Sequence, residues 1–137
     1  MAITTTRRFG QYLKQRVIGQ DDFKIKLFST YSTLSYNTVP TDVTELTTVG
    51  GYSTGGITLS TGNWTETLGD GSTRYCIVQP EVTFTFTSSG STILGYYVTV
   101  TCDLGGGSTQ HVLWTETGSM TVTGNGDKYK VTPRVEM

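Results

Sequence analysis

The chain has 137 residues and a formal net charge of -1, enough length to bury one core and no bulk charge signal for nucleic acid. Charged residues make up 15% and hydrophobic residues 35%; both are low for a soluble domain, and threonine, serine and glycine fill the gap. Aromatics at 11% argue against a disordered chain, and no apolar run approaches the ~18 residues of a bilayer span, so neither a nucleic-acid nor a membrane partner is expected from composition.

Periodicity predicts one helix, over residues 6–18. Thr6 can cap it, Phe9, Leu13 and Val17 recur at every fourth position with Tyr12 beside them, and Gly19 stands where a C-cap glycine belongs. Gly10 weakens it by about 1 kcal/mol relative to alanine. Arg7, Arg8, Lys14 and Arg16 all precede the first acid, Asp21. They form either the solvated face of a short amphipathic helix or an arm that lies on another subunit, an acidic surface or nucleic acid. No apolar stretch follows the arginines as in a signal peptide, so synthesis in a cytoplasm without Sec export is expected. Residues 1–20 are thus set apart as a basic arm from one antiparallel β domain over residues 21–137.

From Asp22 the period switches to two. Phe23, Ile25 and Leu27 share one face, and Lys24, Lys26 and Phe28 the other. Residues 29–40 read as a long polar loop over a surface. Thr44-Glu45-Leu46-Thr47 is a short strand candidate, and the glycine-flanked turn GGYSTGG leads into a strand with Ile57 and Leu59. STGNW turns back, with Trp64 expected in a core or a groove. A strand from Arg74 to Val78 ends at Pro80, which has no N–H for a central ladder. In EVTFTFTSSGSTILGYYVTVTC, Val82, Phe84 and Phe86 oppose Thr83, Thr85 and Thr87; SSGS reads as a reversal, and Leu94, Tyr96, Val98 and Val100 line one face of the return strand.

Beyond the tip DLGGGST, Val112-Leu113-Trp114-Thr115 and Met120-Thr121-Val122-Thr123 read as two strands. GNGD after the second is a hairpin signal, because Asn-Gly supplies the positive φ such turns need. Lys128-Tyr129-Lys130-Val131-Thr132-Pro133 closes the sheet. About eight short strands with regular turns argue for a mainly β fold, an antiparallel β-sandwich or partly open barrel with one short N-terminal helix.

Catalytic patterns are sparse. His111 is the lone histidine, formally within reach of a dyad with Cys102 or a serine, but a histidine at a strand start reads first as structural. One histidine and two separated cysteines, Cys76 and Cys102, make no zinc spacing. The cysteines read as reduced core residues, with a disulfide as the alternative. Glu45, Glu66, Asp70, Glu81 and Glu116 are scattered carboxylates, and GDGS and GNGD lack the full pattern of a calcium loop. No catalytic residue, cofactor or metal is expected.

Residues 23–65, FKIKLFSTYSTLSYNTVPTDVTELTTVGGYSTGGITLSTGNWT, resemble a family of small virion proteins of tailed bacteriophages. The shared order is a short N-terminal helix, a strand like Ile25-Lys26-Leu27-Phe28, a threonine-rich loop with a proline, an acid before GGY, and a strand ending near a tryptophan. VTFTF, Gly95-Tyr96-Tyr97, VLWTE and NGDKYKVTPRVEM match more loosely; Tyr31-Ser32 departs, standing where the family pattern has an Asn-rich pair. The resemblance implies a non-catalytic virion component. A decoration or cement protein bound to the major capsid protein or other virion proteins ranks first, with a homo-oligomer, a trimer by analogy, on the particle. A tail, neck or fibre component ranks second, and a carbohydrate-binding or adhesive domain third. Residues expected at a partner are Arg7, Arg8, Phe9, Leu13, Lys14 and Arg16 of the arm and Tyr31 and Tyr36 of the loop.

Overall fold

The computed structural model describes residue 8, residues 23–68 and residues 75–136. The helix expected over residues 6–18 lies outside them except for Arg8. The described chain is mainly β, with strands β1 (Phe23–Tyr31), β2 (Val43–Glu45), β3 (Ile57–Leu59), β4 (Thr65–Leu68), β5 (Tyr75–Val78), β6 (Val82–Thr85), β7 (Thr92–Asp103), β8 (Ser108–Thr121), β9 (Lys128–Val131) and β10 (Arg134–Glu136). Two 3-10 turns, Pro40–Asp42 and Thr61–Asn63, interrupt them. No helix among the described residues is long and apolar enough to cross a membrane.

Every strand pairing among the described residues is antiparallel. The largest sheet runs β2-β1-β7-β8, with β3 also on β1; β10-β5-β4 form a second sheet and β6-β9 a third. One hydrophobic cluster draws on all three, joining Phe23, Ile25 and Leu27 of β1, Leu59, Ile77, Phe84, Val131, and Tyr96, Val98 and Val100 of β7. Each such apolar side chain stabilises the fold by about 1.5–3 kcal/mol when fully buried.

The period-two strands form where alternation predicts them, but several partners differ. β1 is covered on both sides: Phe28 is fully buried and Lys26 is 7% exposed. A second cluster of Phe28, Val43 and Tyr97, with Leu34, Leu94 and Val112 against it, covers the face assigned to the lysines. Only Lys24 stays exposed there, donating to Thr58 Oγ1 at 2.5 Å. Leu94 sits on the second cluster and not beside Tyr96, while Ile93 joins the first. The β7–β8 register is interrupted at the same place, between Ile93 and Gly95.

The stretch from β6 to β7 is not a hairpin. β6 pairs with β9, while β7 pairs with β1 and β8. The intervening backbone is held elsewhere: Phe86 N–H donates to Asp127 O, Gly126 N–H to Phe86 O, and Thr87 N–H to Gly50 O. GNGD is a turn, with Gly126 at φ 94°. It joins β8 to β9, which lie in different sheets, so it closes no hairpin. The two strands expected at 112–115 and 120–123 fall on one continuous β8, which ends at Thr121 and leaves Val122 and Thr123 outside it. Its polar middle, Thr115 to Ser119, hid that continuity, because an edge strand does not need an apolar face along its whole length. β4 went unforeseen for the same reason: it is an edge strand with Thr65 and Thr67 exposed.

Candidate interaction surfaces

Glu45, at the end of β2, ties the GGY turn to the main sheet. Its Oε1 accepts from Tyr52 Oη at 2.7 Å and from Gly55 N–H at 2.6 Å. Tyr52 Oη in turn accepts from Leu27 N–H at 3.2 Å. Glu45 Oε2 lies 3.7 Å from Lys26 Nζ, which also stands 6.0 Å above the Tyr97 ring. Burial first, and then the bond to Glu45, hold the Tyr52 phenol far above its ordinary range. This network fixes the strand from which the loop over residues 32–42 springs.

That loop is a built platform. Leu34 packs on the second core, and Ser32 N–H donates to Asp42 O at 2.9 Å. Asp42 Oδ2 accepts from Val39 N–H at 2.9 Å, while Asp42 N–H donates to Val39 O at 2.9 Å. Between these anchors Thr38 N–H reaches Ser35 O, Ser35 N–H reaches Thr38 Oγ1, and Asn37 N–H reaches Ser35 Oγ. The turn so closed carries Tyr36 at 98% exposure, with Val39 exposed beside the 3-10 turn. Tyr31 lies at the end of β1 and not in the loop; its ring meets Phe28 edge-on at 5.5 Å. Of the residues expected at a partner, Arg8 is exposed, while Arg7, Phe9, Leu13, Lys14 and Arg16 lie outside the described residues.

The second surface is the hairpin of β7 and β8, paired from Thr92↔Thr121 to Asp103↔Ser108. Asp103 Oδ1 accepts from Gly105 N–H at 2.7 Å and closes the tip, on which Leu104 is 71% exposed. A third feature is a cleft of about 230 Å³ between β8 and β9, lined in part by Tyr96, Glu116, Tyr129 and Lys130. Tyr96 Oη donates to Glu116 Oε2 at 2.5 Å and Tyr129 Oη to Gly118 O at 2.7 Å, so both phenols are tied to β8.

The other singled-out residues have structural partners. Trp64 is buried and Trp114 half-buried, and both meet Phe23 edge-on, at 6.1 and 6.5 Å. The Trp64 indole N–H is buried with no hydrogen-bond partner among the described residues, a cost set against the packing of its ring. Cys76 and Cys102 are free thiols on different sheets, which decides between the two cysteine readings; Arg134 Nε donates to Cys76 Sγ at 3.0 Å. His111 stands opposite Val100, and its Nε2 lies 3.2 Å from Thr109 Oγ1. Asp127 of GNGD accepts from Thr123 N–H, Thr123 Oγ1 and Gly124 N–H. No group of three or more His, Cys, Asp or Glu able to hold a metal occurs among the described residues, and GDGS lies outside them. Sequence reasoning missed Glu45 as the hub of its network; the only signal was an acid shortly before GGY.

Comparison with known proteins finds no matching family model, no matching curated protein and no matching solved structure.

Proposed function

We propose that the chain is a non-catalytic structural protein of a tailed-phage virion, a decoration protein that binds the assembled head and bridges neighbouring capsid subunits. Its sheets are read as an antiparallel sandwich, and its copies as associating on the particle. The observation that carries the reading is the platform under Tyr36. A phenol at 98% exposure adds nothing to the core, yet hydrogen bonds on both sides hold its turn in one shape. A preorganised aromatic anchor of this kind loses little entropy on docking, and tyrosine is enriched among the residues that dominate interfaces. The threonines of β6, Thr83 and Thr85, are exposed and uncharged, and such a face packs beside another subunit without desolvating charge.

Attachment to empty shells, measured by co-sedimentation, tests this. Tyr36→Ala should weaken attachment by roughly thirtyfold, the effect of a ~2 kcal/mol anchor, with thermal unfolding unchanged. Deleting residues 1–18 should leave the β domain folded, since β1 begins at Phe23, and strongly weaken attachment. Unchanged binding by both variants would refute the reading. The long β7–β8 hairpin with its exposed Leu104 favours a second one, a tail component in which the hairpin reaches a neighbouring subunit. Gold labelling of intact particles separates head from tail.

A further inference from the structure

We propose that the outer edge of β8 is a self-association edge. In it, residues 108–112 pair antiparallel with the same residues of a second copy, about a twofold axis at Gln110. The inference does not depend on a virion role.

β8 ends the main sheet, and Ser108, Thr109 and Gln110 are exposed. No backbone hydrogen bond outside the β7 ladder reaches residues 108–112 among the described residues. A strand edge is a row of unpaired donors and acceptors that another strand satisfies best, and proteins usually guard it with lysine, proline, bulges or brevity. β8, STQHVLWTETGSMT, has fourteen residues with no lysine, arginine or proline. Its guards lie elsewhere on the strand. The register shift between Val98 and Thr99 leaves Leu113 unmatched, and the shift between Ile93 and Gly95 leaves Gly118 and Ser119 unmatched. Tyr129 Oη also occupies the Gly118 carbonyl. Residues 108–112 are matched to β7 without interruption, from Asp103↔Ser108 to Thr99↔Val112, so this five-residue stretch is regular and carries no lysine, proline, bulge or formal charge.

Charge and symmetry select the partner and the register. A twofold axis normal to the sheet keeps each side chain on its own face, so it must pass through a residue that meets its own copy. An axis at Trp114 would set each copy's unmatched Leu113 against Thr115 and bring the two Glu116 residues within about 13 Å along the strand, at about 3.3 Å per residue. An axis at Gln110 moves them about 40 Å apart along the strand direction. It also sets Gln110 against Gln110, Thr109 against His111 and Ser108 against Val112. No formal charge of β8 then faces another, and the two amides can hydrogen-bond across the axis.

The test uses the full chain. Sedimentation over a wide concentration range should show a reversible monomer–dimer equilibrium, and amides of residues 108–112 should gain hydrogen-exchange protection in step with dimer. Gln110→Lys and Gln110→Glu, at an exposed position, should each weaken the dimer by about tenfold or more through like charges placed directly opposite. An equimolar mixture of the two should restore it, and circular dichroism should show both variants folded. A monomer at all concentrations, a trimer or larger ring, or a dimer indifferent to both substitutions would overturn the proposal.

Discussion

Removing the Glu45 carboxylate should cost about as much stability as a large core truncation. Glu45→Ala deletes two short hydrogen bonds to a charged acceptor, from Tyr52 Oη and Gly55 N–H, and leaves Lys26 at 7% exposure without its counter-ion. Hydrogen bonds to charged groups contribute ~1.5–3 kcal/mol each, and breaking a buried ion pair costs ~3–5 kcal/mol. These losses overlap, and the Glu45 side chain is 21% exposed with the pair at 3.7 Å, so solvent screens part of the charge term. A net loss of about 3 kcal/mol follows, or about 10 °C in Tm at the usual unfolding entropy per residue. Glu45→Gln keeps an acceptor for both donors and loses only the charge, so about 1–2 kcal/mol is expected. Urea unfolding followed by circular dichroism gives the energies, with a constant m value showing that the unfolded state is unchanged. A cycle with Lys26→Met isolates the charged pair: the double variant should be more stable than the sum of the single losses by at least ~0.5 kcal/mol. A loss below about 1 kcal/mol for Glu45→Ala, or zero coupling in the cycle, would refute the network as a structural hub.

Gly95→Ala should destabilise by about 1–3 kcal/mol in the same assay, because a Cβ there overlaps the Glu116 carbonyl oxygen and lies 2.6 Å from Phe28 Cζ, below the 3.0 Å floor of real Cβ contacts; an unchanged or raised Tm would show that the β1–β7 contact yields. The hydrogen bonds from the Thr123 and Gly124 backbone and the Thr123 hydroxyl hold the Asp127 carboxyl below its ordinary value of 3.8. A depressed acid stabilises the fold above its unfolded pKa and stops doing so as pH falls through the folded one. The Tm gap between wild type and Asp127→Ala should therefore be constant near neutrality and close as the medium is acidified below about pH 4; a gap unchanged at pH 2 would exclude the carboxylate as its source.

Much of the local structure was legible in the residues themselves. Alternation in Phe23–Leu27 and Val82–Phe86 marked β1 and β6 and the side each turns to the core, because a strand's side chains change face at every residue. Asn125-Gly126 marked a turn, since few residues but glycine reach positive φ without strain. Hydroxyl-rich strands with few charges marked a β fold. Partnership was not legible. The β6 pattern suits any antiparallel neighbour, and its pairing with β9 and not β7 depends on Phe86 being held by Gly126 and Asp127, about forty residues away. Nor did the residues tell that Phe28 is buried, because the second core on that face exists only once Val43, Tyr97 and Leu34 arrive from three other segments. The candidate surfaces divide the same way. Tyr36 stood out as an aromatic in a polar loop, but the free edge of β8 is a property of sheet order, and hydrogen bonding between distant strands, not any local pattern, sets that order.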